Sequence, residues 1–270
     1  MKVVHDIGER WKPEQVKALE TFGISVSEDV FSYVRVDSAQ FELINEILMS
    51  YHPVHALGAE FDRIDLDRAN WLGLTALAPF GYPQPQETFD FVDVYDTLHR
   101  CLKCGMNRGG QKSPFRIKSD KTRFQAFQLG WIFDEIFVKR ELYEEVFLPL
   151  GIKFLPVVIH RSGEMSELVV QLDLPMSSWL FDMSGMRFEL CSQCGQKKYV
   201  VLPLDFLPPL KGEPPNQIFR GQEYFGSDAS ANRRIYLTQD LRQELLRRKI
   251  AKWFQFYPLE NPGPYIESCI

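Results

Sequence analysis

The chain has 270 residues, of which 45% are hydrophobic and 25% charged, a composition typical of a globular protein with a sizeable core. Its formal net charge of −5 disfavours nucleic-acid binding, because nucleic-acid binders normally carry a basic excess. No apolar run approaches the roughly 18 residues of a membrane span, and the first residues lack a signal peptide's apolar segment. We therefore expect a cytoplasmic protein with no membrane partner.

The first 90 residues predict a small α+β segment. Pro13 favours the start of a helix that ends at Gly23, a strand follows at residues 30–36, and Asp37-Ser38 caps a second helix through about residue 50. Residues 51–90 show no clean period, and we expect them to be irregular apart from a short element at residues 71–77.

The middle of the chain shows stronger patterns, most of them strands. A helix is predicted at residues 141–150, with Gly151 closing it. Residues 161–164 predict the turn of a hairpin. The predicted strands are residues 89–94, 132–138, 154–160, 167–172 and 186–190.

The C-terminal part predicts a strand at residues 199–202 and then a loop over residues 203–232, which are rich in Pro, Gly, Asn, Asp and Ser. Thr238 then caps the clearest helix, and a strand follows at residues 253–257. Together these elements predict an α+β fold with an antiparallel or mixed sheet and flanking helices. We divide it into an N-terminal extension, 1–90, and a main domain, 91–270.

The most specific signal is a pair of CxxCG motifs, Cys101-Leu-Lys-Cys104-Gly105 and Cys191-Ser-Gln-Cys194-Gly195. Two thiolates on a tight turn can face one cation, and a glycine after the second cysteine accepts the positive φ that closes such a turn. Two turns supply four soft ligands, which is the full shell of a structural, tetrahedral Zn²⁺ site. We predict a zinc-ribbon-like pair of knuckles with ligands Cys101, Cys104, Cys191 and Cys194; Cys269 is left over.

Three other uses of these cysteines compete with a structural zinc site. Two CxxC disulfides would each close only a tiny loop and stabilise little. A thioredoxin-like redox motif would open a helix after a strand, whereas both motifs here have turn-like surroundings. An iron–sulfur centre also uses four thiolates. A catalytic zinc would normally keep one position open, which a four-thiolate set does not.

Other residues that could bind a metal or a partner carry weaker sequence signals. His52, His55, His99 and His160 are candidate ligands, but Pro53 disfavours a regular helical turn around His52 and His55, and an exposed role is the simpler interpretation of the other two. Two acidic clusters are either solvated edges or a patch that faces a basic partner: Asp62, Asp65, Asp67 and Asp90, Asp93, Asp96. No common hydrolase, metalloprotease or P-loop motif occurs in the sequence.

The order of these parts resembles the double-CXXCG paralogous family first noted in myxobacteria. The resemblance covers roughly residues 95–260 and depends on the two CxxCG motifs together with four segments of this chain: VKRELYEEVFLPLGI, ELVVQLDLP, VVLPLDFLPPL and NRRIYLTQDLRQELLRRKIAKWFQFYPL. It carries over Cys101, Cys104, Gly105, Cys191, Cys194 and Gly195. The family places its first motif near the N-terminus, whereas about 100 residues precede Cys101 here.

Some members of that family resemble immunity proteins of polymorphic toxin systems. The resemblance implies a non-enzymatic cytoplasmic protein that binds one cognate protein toxin domain and blocks it, with structural Zn²⁺ as its cofactor. One competing hypothesis is an enzyme or nucleic-acid-processing factor that uses its zinc ribbon structurally and has its active site in residues 51–90 or 203–232. Another is a scaffold protein with no toxin partner.

Overall fold

The computed structural model describes residues 2–49, 54–77, 80–85, 93–106, 109–177, 181–200, 206–212, 214–226 and 231–260. The chain forms two compact units. Unit 1 comprises Met1–Arg68 and Leu202–Phe206, and unit 2 comprises Ala69–Val201 and Leu207–Ile270. Among the described residues, no helix is both long and apolar enough to cross a membrane.

Unit 1 is a three-stranded antiparallel sheet with three helices. Its elements are β1 (Lys2–Arg10), α1 (Pro13–Glu20), β2 (Phe31–Asp37), α2 (Ser38–Met49), β3 (Val54–Glu60) and α3 (Arg63–Arg68). The strand order is β2-β1-β3, so β1 is central and β2 is an edge strand. The buried core combines residues of the sheet with residues of α1 and α2: Ile7, Trp11, Leu19, Val34, Val36 and Ile44.

Unit 2 contains two mixed sheets. The six-stranded sheet has the order β10-β11-β12-β13-β4-β14, in which β11 and β12 are parallel and the other pairs antiparallel. The five-stranded sheet has the order β5-β8-β9-β7-β6, with β5 and β8 parallel. In chain order the strands are β4 (Trp71–Ala76), β5 (Phe115–Ile117), β6 (Ala126–Leu129), β7 (Ile132–Lys139), β8 (Lys153–Ile159), β9 (Met165–Asp173), β10 (Phe188–Leu190), β11 (Lys197–Tyr199), β12 (Ile218–Phe225), β13 (Asn232–Thr238) and β14 (Phe254–Pro258).

Two helical segments follow strands in unit 2. The first begins as α4 (Arg140–Leu142), widens into a π-helical segment (Tyr143–Phe147) and ends in a 3₁₀ turn (Leu148–Leu150). Gly151 follows with φ of 74°, the left-handed conformation predicted for a helix-closing glycine. The second is α5 (Gln239–Arg247), whose Leu241 backbone N–H donates to Thr238 Oγ1 at 3.3 Å, which confirms the predicted cap.

The two sheets of unit 2 are joined by buried polar groups. The Ala76 N–H on β4 donates to Gln128 Oε1 on β6 at 3.2 Å. Arg220 Nη2 on β12 donates to Glu135 Oε2 on β7 at 2.6 Å. These contacts satisfy polar groups that would otherwise be costly to bury, and they set the relative position of the sheets.

The α+β class and mixed sheets are confirmed, and so are most predicted elements. Two predictions are wrong. Residues 51–90 contain β3 and α3 besides the expected element β4, and the predicted loop at 203–232 contains β12. Of the predicted strand at 199–202, only Tyr199 lies in a strand, at the end of β11, and residues 201–202 lie outside the described residues. β1, β5 and β6 were not predicted at all. In the sequences of these strands, the alternation of apolar and polar residues is sparse or interrupted. Their pairing with neighbouring strands stabilises them despite a weak local strand propensity. The predicted strand at 89–94 falls mainly outside the described residues.

The predicted division at residue 90 stays a prediction. β4 lies on the N-terminal side of that boundary and pairs with β13 and β14 from its C-terminal side.

Candidate metal centre

The two CxxCG motifs form knuckles with the same backbone geometry. In the first, the Gly105 N–H donates to Cys101 O at 2.8 Å, and the Cys101 N–H donates to Met106 O at 2.8 Å. In the second, the equivalent bonds run from Gly195 to Cys191 at 2.9 Å and from Cys191 to Gln196 at 3.0 Å. Both glycines have a positive φ, 68° at Gly105 and 72° at Gly195. The role predicted for the glycines is therefore confirmed.

Each knuckle is held by strand pairing. The first lies in a loop closed by the antiparallel bridge between Tyr95 and Gln111. The second is the turn between β10 and β11, so its cysteines follow directly from the strand that the sequence predicted at 186–190. The sequence predicted a half-buried strand, whereas all three residues of β10 are exposed. A further hydrogen bond of 2.7 Å, from Lys103 Nζ to Ser192 Oγ, joins the two turns.

The four cysteine Sγ atoms converge. All of them lie within 4.8 Å of one another, with 3.8 Å between Cys101 and Cys191 and 3.6 Å between Cys104 and Cys194. Four sulfurs at about 2.3 Å from a central Zn²⁺ stand about 3.8 Å apart along the edges of the tetrahedron. The group thus has the donor type, number and spacing that a single tetrahedral ion requires.

The site is enclosed by the protein. Cys101, Cys104 and Cys191 are buried and Cys194 is partly exposed. Met106, Tyr224 and Ala231 pack with the cysteines in one cluster. Four thiols gathered around one point leave no open position of the kind that a catalytic zinc offers to substrate.

Hydrogen bonds and burial act in opposite directions on these thiols. Backbone N–H groups of Cys194 and Gln193 lower the pKa of Cys191 to about 6, and those of Cys104 and Lys103 lower the pKa of Cys101. Burial raises the pKa of Cys104 to about 12. A bound divalent cation would offset the cost of ionising this buried thiol, because its charge favours the thiolate.

The geometry bears on the competing uses of the cysteines. All four thiols are free, so neither CxxC is a disulfide here. Within the described part of the chain, neither motif opens a helix, as a thioredoxin-like site would require. A polynuclear iron–sulfur cluster holds its thiolates farther apart, because its own atoms lie between them, whereas sulfurs within 4.8 Å suit one ion.

Within the described residues, the group of convergent ligand atoms contains the four cysteines and no histidine. His99 and His160 are exposed, His55 lies on β3 in unit 1, and His52 and Cys269 lie outside the described residues. In the first acidic cluster, Asp62 Oδ1 accepts the Asp65 N–H at 2.8 Å at the start of α3. In the second, Asp96 accepts the Leu98 N–H at 2.9 Å, and Asp90 lies outside the described residues.

Sequence reasoning missed Glu135, a buried carboxyl that is 2% exposed. Burial raises the pKa of its carboxyl to about 7, although Arg220 opposes this shift. Gln171 Nε2 also donates to Glu135 Oε2, at 2.9 Å, and Tyr95 donates to Oε1 at 3.4 Å. The sequence offered one signal, since Glu135 directly precedes the apolar run at residues 136–138 of β7.

Neither a scan against protein-family models nor a search of the curated proteins finds a match to this chain.

Proposed function

We propose that this chain is an immunity protein that binds a cognate secreted toxin domain and neutralises it, on a scaffold stabilised by one structural Zn²⁺. The observation that carries the proposal is the closed set of four thiols. A set that fills its ion's coordination shell can stabilise a fold but offers no position for substrate. That supports a binding scaffold over a metalloenzyme.

Two further points support this function. The motif order resembles a family with immunity-type members, and the resemblance, over roughly residues 95–260, is best in the two knuckles and in α5 and β14. Free thiols poised for a metal also suit the reducing cytoplasm, where an immunity protein would meet an incoming toxin.

The metal is tested by elemental analysis and thiol titration of the purified protein. We expect one zinc per chain, and we expect four thiols to become reactive only after chelation or denaturation. The absence of visible absorption separates zinc from iron, since iron–thiolate centres are coloured. A Cys269→Ser variant is the matched control and should keep its zinc. A protein purified under reducing conditions that holds no metal and has fully reactive thiols would overturn the zinc assignment.

The binding function is tested by co-expression. Toxin domains encoded beside this chain are expressed in a bacterial host with and without it, and growth and complex formation are measured. We expect rescue by one domain, with a stable complex on size-exclusion chromatography. An unrelated toxin domain is the control and should remain toxic. If no neighbouring domain is bound or neutralised, the proposed function is wrong.

A further inference from the structure

An exposed pair of aromatic rings lies on β2, the edge strand of unit 1. Phe31 and Tyr33 are 50% and 59% exposed, and their rings meet edge to face with centroids 5.4 Å apart. Residues at i and i+2 of a strand point to the same side of the sheet. We call these two rings, together with Gly8 beneath them, the aromatic platform.

Gly8 is the reason that both rings can lie close to the backbone of β1. Gly8 is paired with Tyr33 across β1 and β2. A Cβ at Gly8 would stand only 2.5 Å from Tyr33 Cε1 and 3.0 Å from Phe31 Cζ. The absent side chain thus makes room for both rings, which are pre-arranged by the strand pair and need little further ordering to receive a ligand.

The opposite side of this sheet faces the core of unit 1. Val34 and Val36, which alternate with the exposed residues of β2, are buried with Trp11, Leu19 and Ile44. Since α1 and α2 supply the core on that side, the platform belongs to the outer face. Exposed aromatic side chains of this kind dominate the energetics of protein interfaces, because they bury a large area at low entropic cost.

Unit 1 is also the acidic part of the chain. Residues 1–68 contain 7 Lys and Arg against 13 Asp and Glu, whereas the remaining residues contain 24 against 23. Glu28 and Asp29 are exposed just before Val30 and the platform strand, and Asp37 is exposed at its other end. Three cations share the face: Lys2, opposite Glu60; Arg10, opposite Phe31; and Arg35, which Asp6 binds through both of its carboxylate oxygens at 2.6 and 2.8 Å.

We infer that the aromatic platform is the docking surface for a basic protein partner, with Arg or Lys side chains of that partner stacked on Phe31 and Tyr33. Guanidinium and ammonium groups bind aromatic faces, and the surrounding carboxylates attract them over a longer range. Exposed aromatic rings on a sheet also suit single-stranded RNA, but the acidic surroundings repel phosphate. The inference rests on the proposed function only in taking this partner to be the toxin domain.

A direct test titrates the whole 270-residue protein with hexa-arginine. Binding is followed through the NMR signals of residues 30–37. We expect binding that weakens as salt rises, and we expect a loss of about tenfold or more in the Phe31→Ser/Tyr33→Ser double variant. Phe133→Ser, which removes a 43% exposed ring from β7 in unit 2, is the control and should leave binding unchanged. Equal binding by wild type and double variant would overturn the inference, as would binding of oligouridylate in place of hexa-arginine.

A second variant changes the ring geometry without removing a ring. Gly8→Ala should keep the fold, because the backbone of Gly8 is not left-handed and the crowded atoms belong to exposed rings that can move. We expect it to weaken hexa-arginine binding several-fold. Gly58→Ala, in the same sheet but next to Val4 and Asp6, is the matched control and should bind as wild type does. Self-association of the wild type is measured in the same experiments. If wild type self-associates, if Gly8→Ala and the double variant do not, and if all three bind hexa-arginine equally, the inference is wrong and the platform binds a second copy of this chain.

The toxin domain identified by co-expression then separates this inference from the proposed function. If that domain binds wild type but binds the double variant at least tenfold more weakly, both are supported. If it binds both equally, the immunity function stands and the inference that the platform is the docking surface is wrong. If no domain is found, the proposed function fails, and the hexa-arginine result alone decides the platform.

Discussion

Glu135 on β7 and Arg220 on β12 form an ion pair of 2.6 Å that joins the two sheets of unit 2. Their side chains are only 3% and 15% exposed. Gln171 and Tyr95 add hydrogen bonds to the same carboxylate, and the side-chain amides of Gln171 and Gln111 are bonded to each other at 2.8 and 3.1 Å. In such a network the loss of one member leaves another buried and unpaired, so single changes should be costly.

The raised pKa of Glu135 predicts a pH dependence of folding stability. The folded pKa of about 7 exceeds the ordinary value of 4.5, so the folded state binds more protons than the unfolded state between these two values. The contribution of Glu135 to stability is therefore fully present below pH 4.5 and is lost as pH rises through 7, a change of about 3 kcal/mol. In Glu135→Gln this contribution is absent. Urea unfolding at pH 5, 6, 7 and 8 should show a difference between the two proteins that changes steadily over this range, and a constant difference would contradict the prediction.

Removal of the positive charge of Arg220 should destabilise the protein more at high pH than at low pH, because Glu135 is ionised only at high pH. Arg220→Met leaves Glu135 buried without its counter-charge, which we expect to destabilise the protein by about 3–5 kcal/mol at pH 8. The cost should shrink at pH 5, where the carboxyl is protonated. The double variant Glu135→Gln/Arg220→Met should recover part of the loss at pH 8, as measured in a double-mutant cycle. Additive single effects would argue against coupling between the two residues.

The four-cysteine site predicts a strong contrast between two Cys→Ser substitutions. Cys191→Ser removes one of four convergent ligands, and we expect it to lose zinc and to lower the free energy of unfolding by several kcal/mol, since closed metal sites contribute directly to folding. Cys269→Ser should leave both properties unchanged. Calorimetric melting and elemental analysis of both proteins provide the measurement. A Cys191→Ser protein with full zinc content and an unchanged melting temperature would refute the structural role.

The knuckle glycines predict a backbone effect on metal binding. Gly195 has φ of 72°, and among the described residues no heavy atom lies within 4 Å of the place that a Cβ would take, so the cost of Gly195→Ala is conformational and not steric. We expect zinc affinity to fall about five- to thirtyfold, corresponding to about 1–2 kcal/mol of left-handed strain. Gly195→Asn should be milder, because Asn tolerates this conformation. Competition with a chromophoric chelator measures all three affinities, and equal values would show that the turn needs no glycine.

Much of the local structure was predictable because its causes are local. Pro13 and Thr238 mark helix starts through their own backbone and side-chain chemistry, and Gly151 ends a helix through its left-handed φ. β1, β3, β5, β6 and β12 were missed since their stability comes from neighbouring strands. Glu135 was missed because its significance depends on Arg220, 85 residues further along the chain.

The sequence by itself determined the chemistry of the metal centre: four soft ligands, in two turns that glycine can close. It also determined that the charge excess is acidic and lies in the first 68 residues. Only the tertiary structure decided that knuckles 90 residues apart meet, because strand pairing at β10–β11 and the Tyr95–Gln111 bridge hold each turn in place. Likewise, Phe31 and Tyr33 form a platform only because the register of β1 and β2 places Gly8 beneath them.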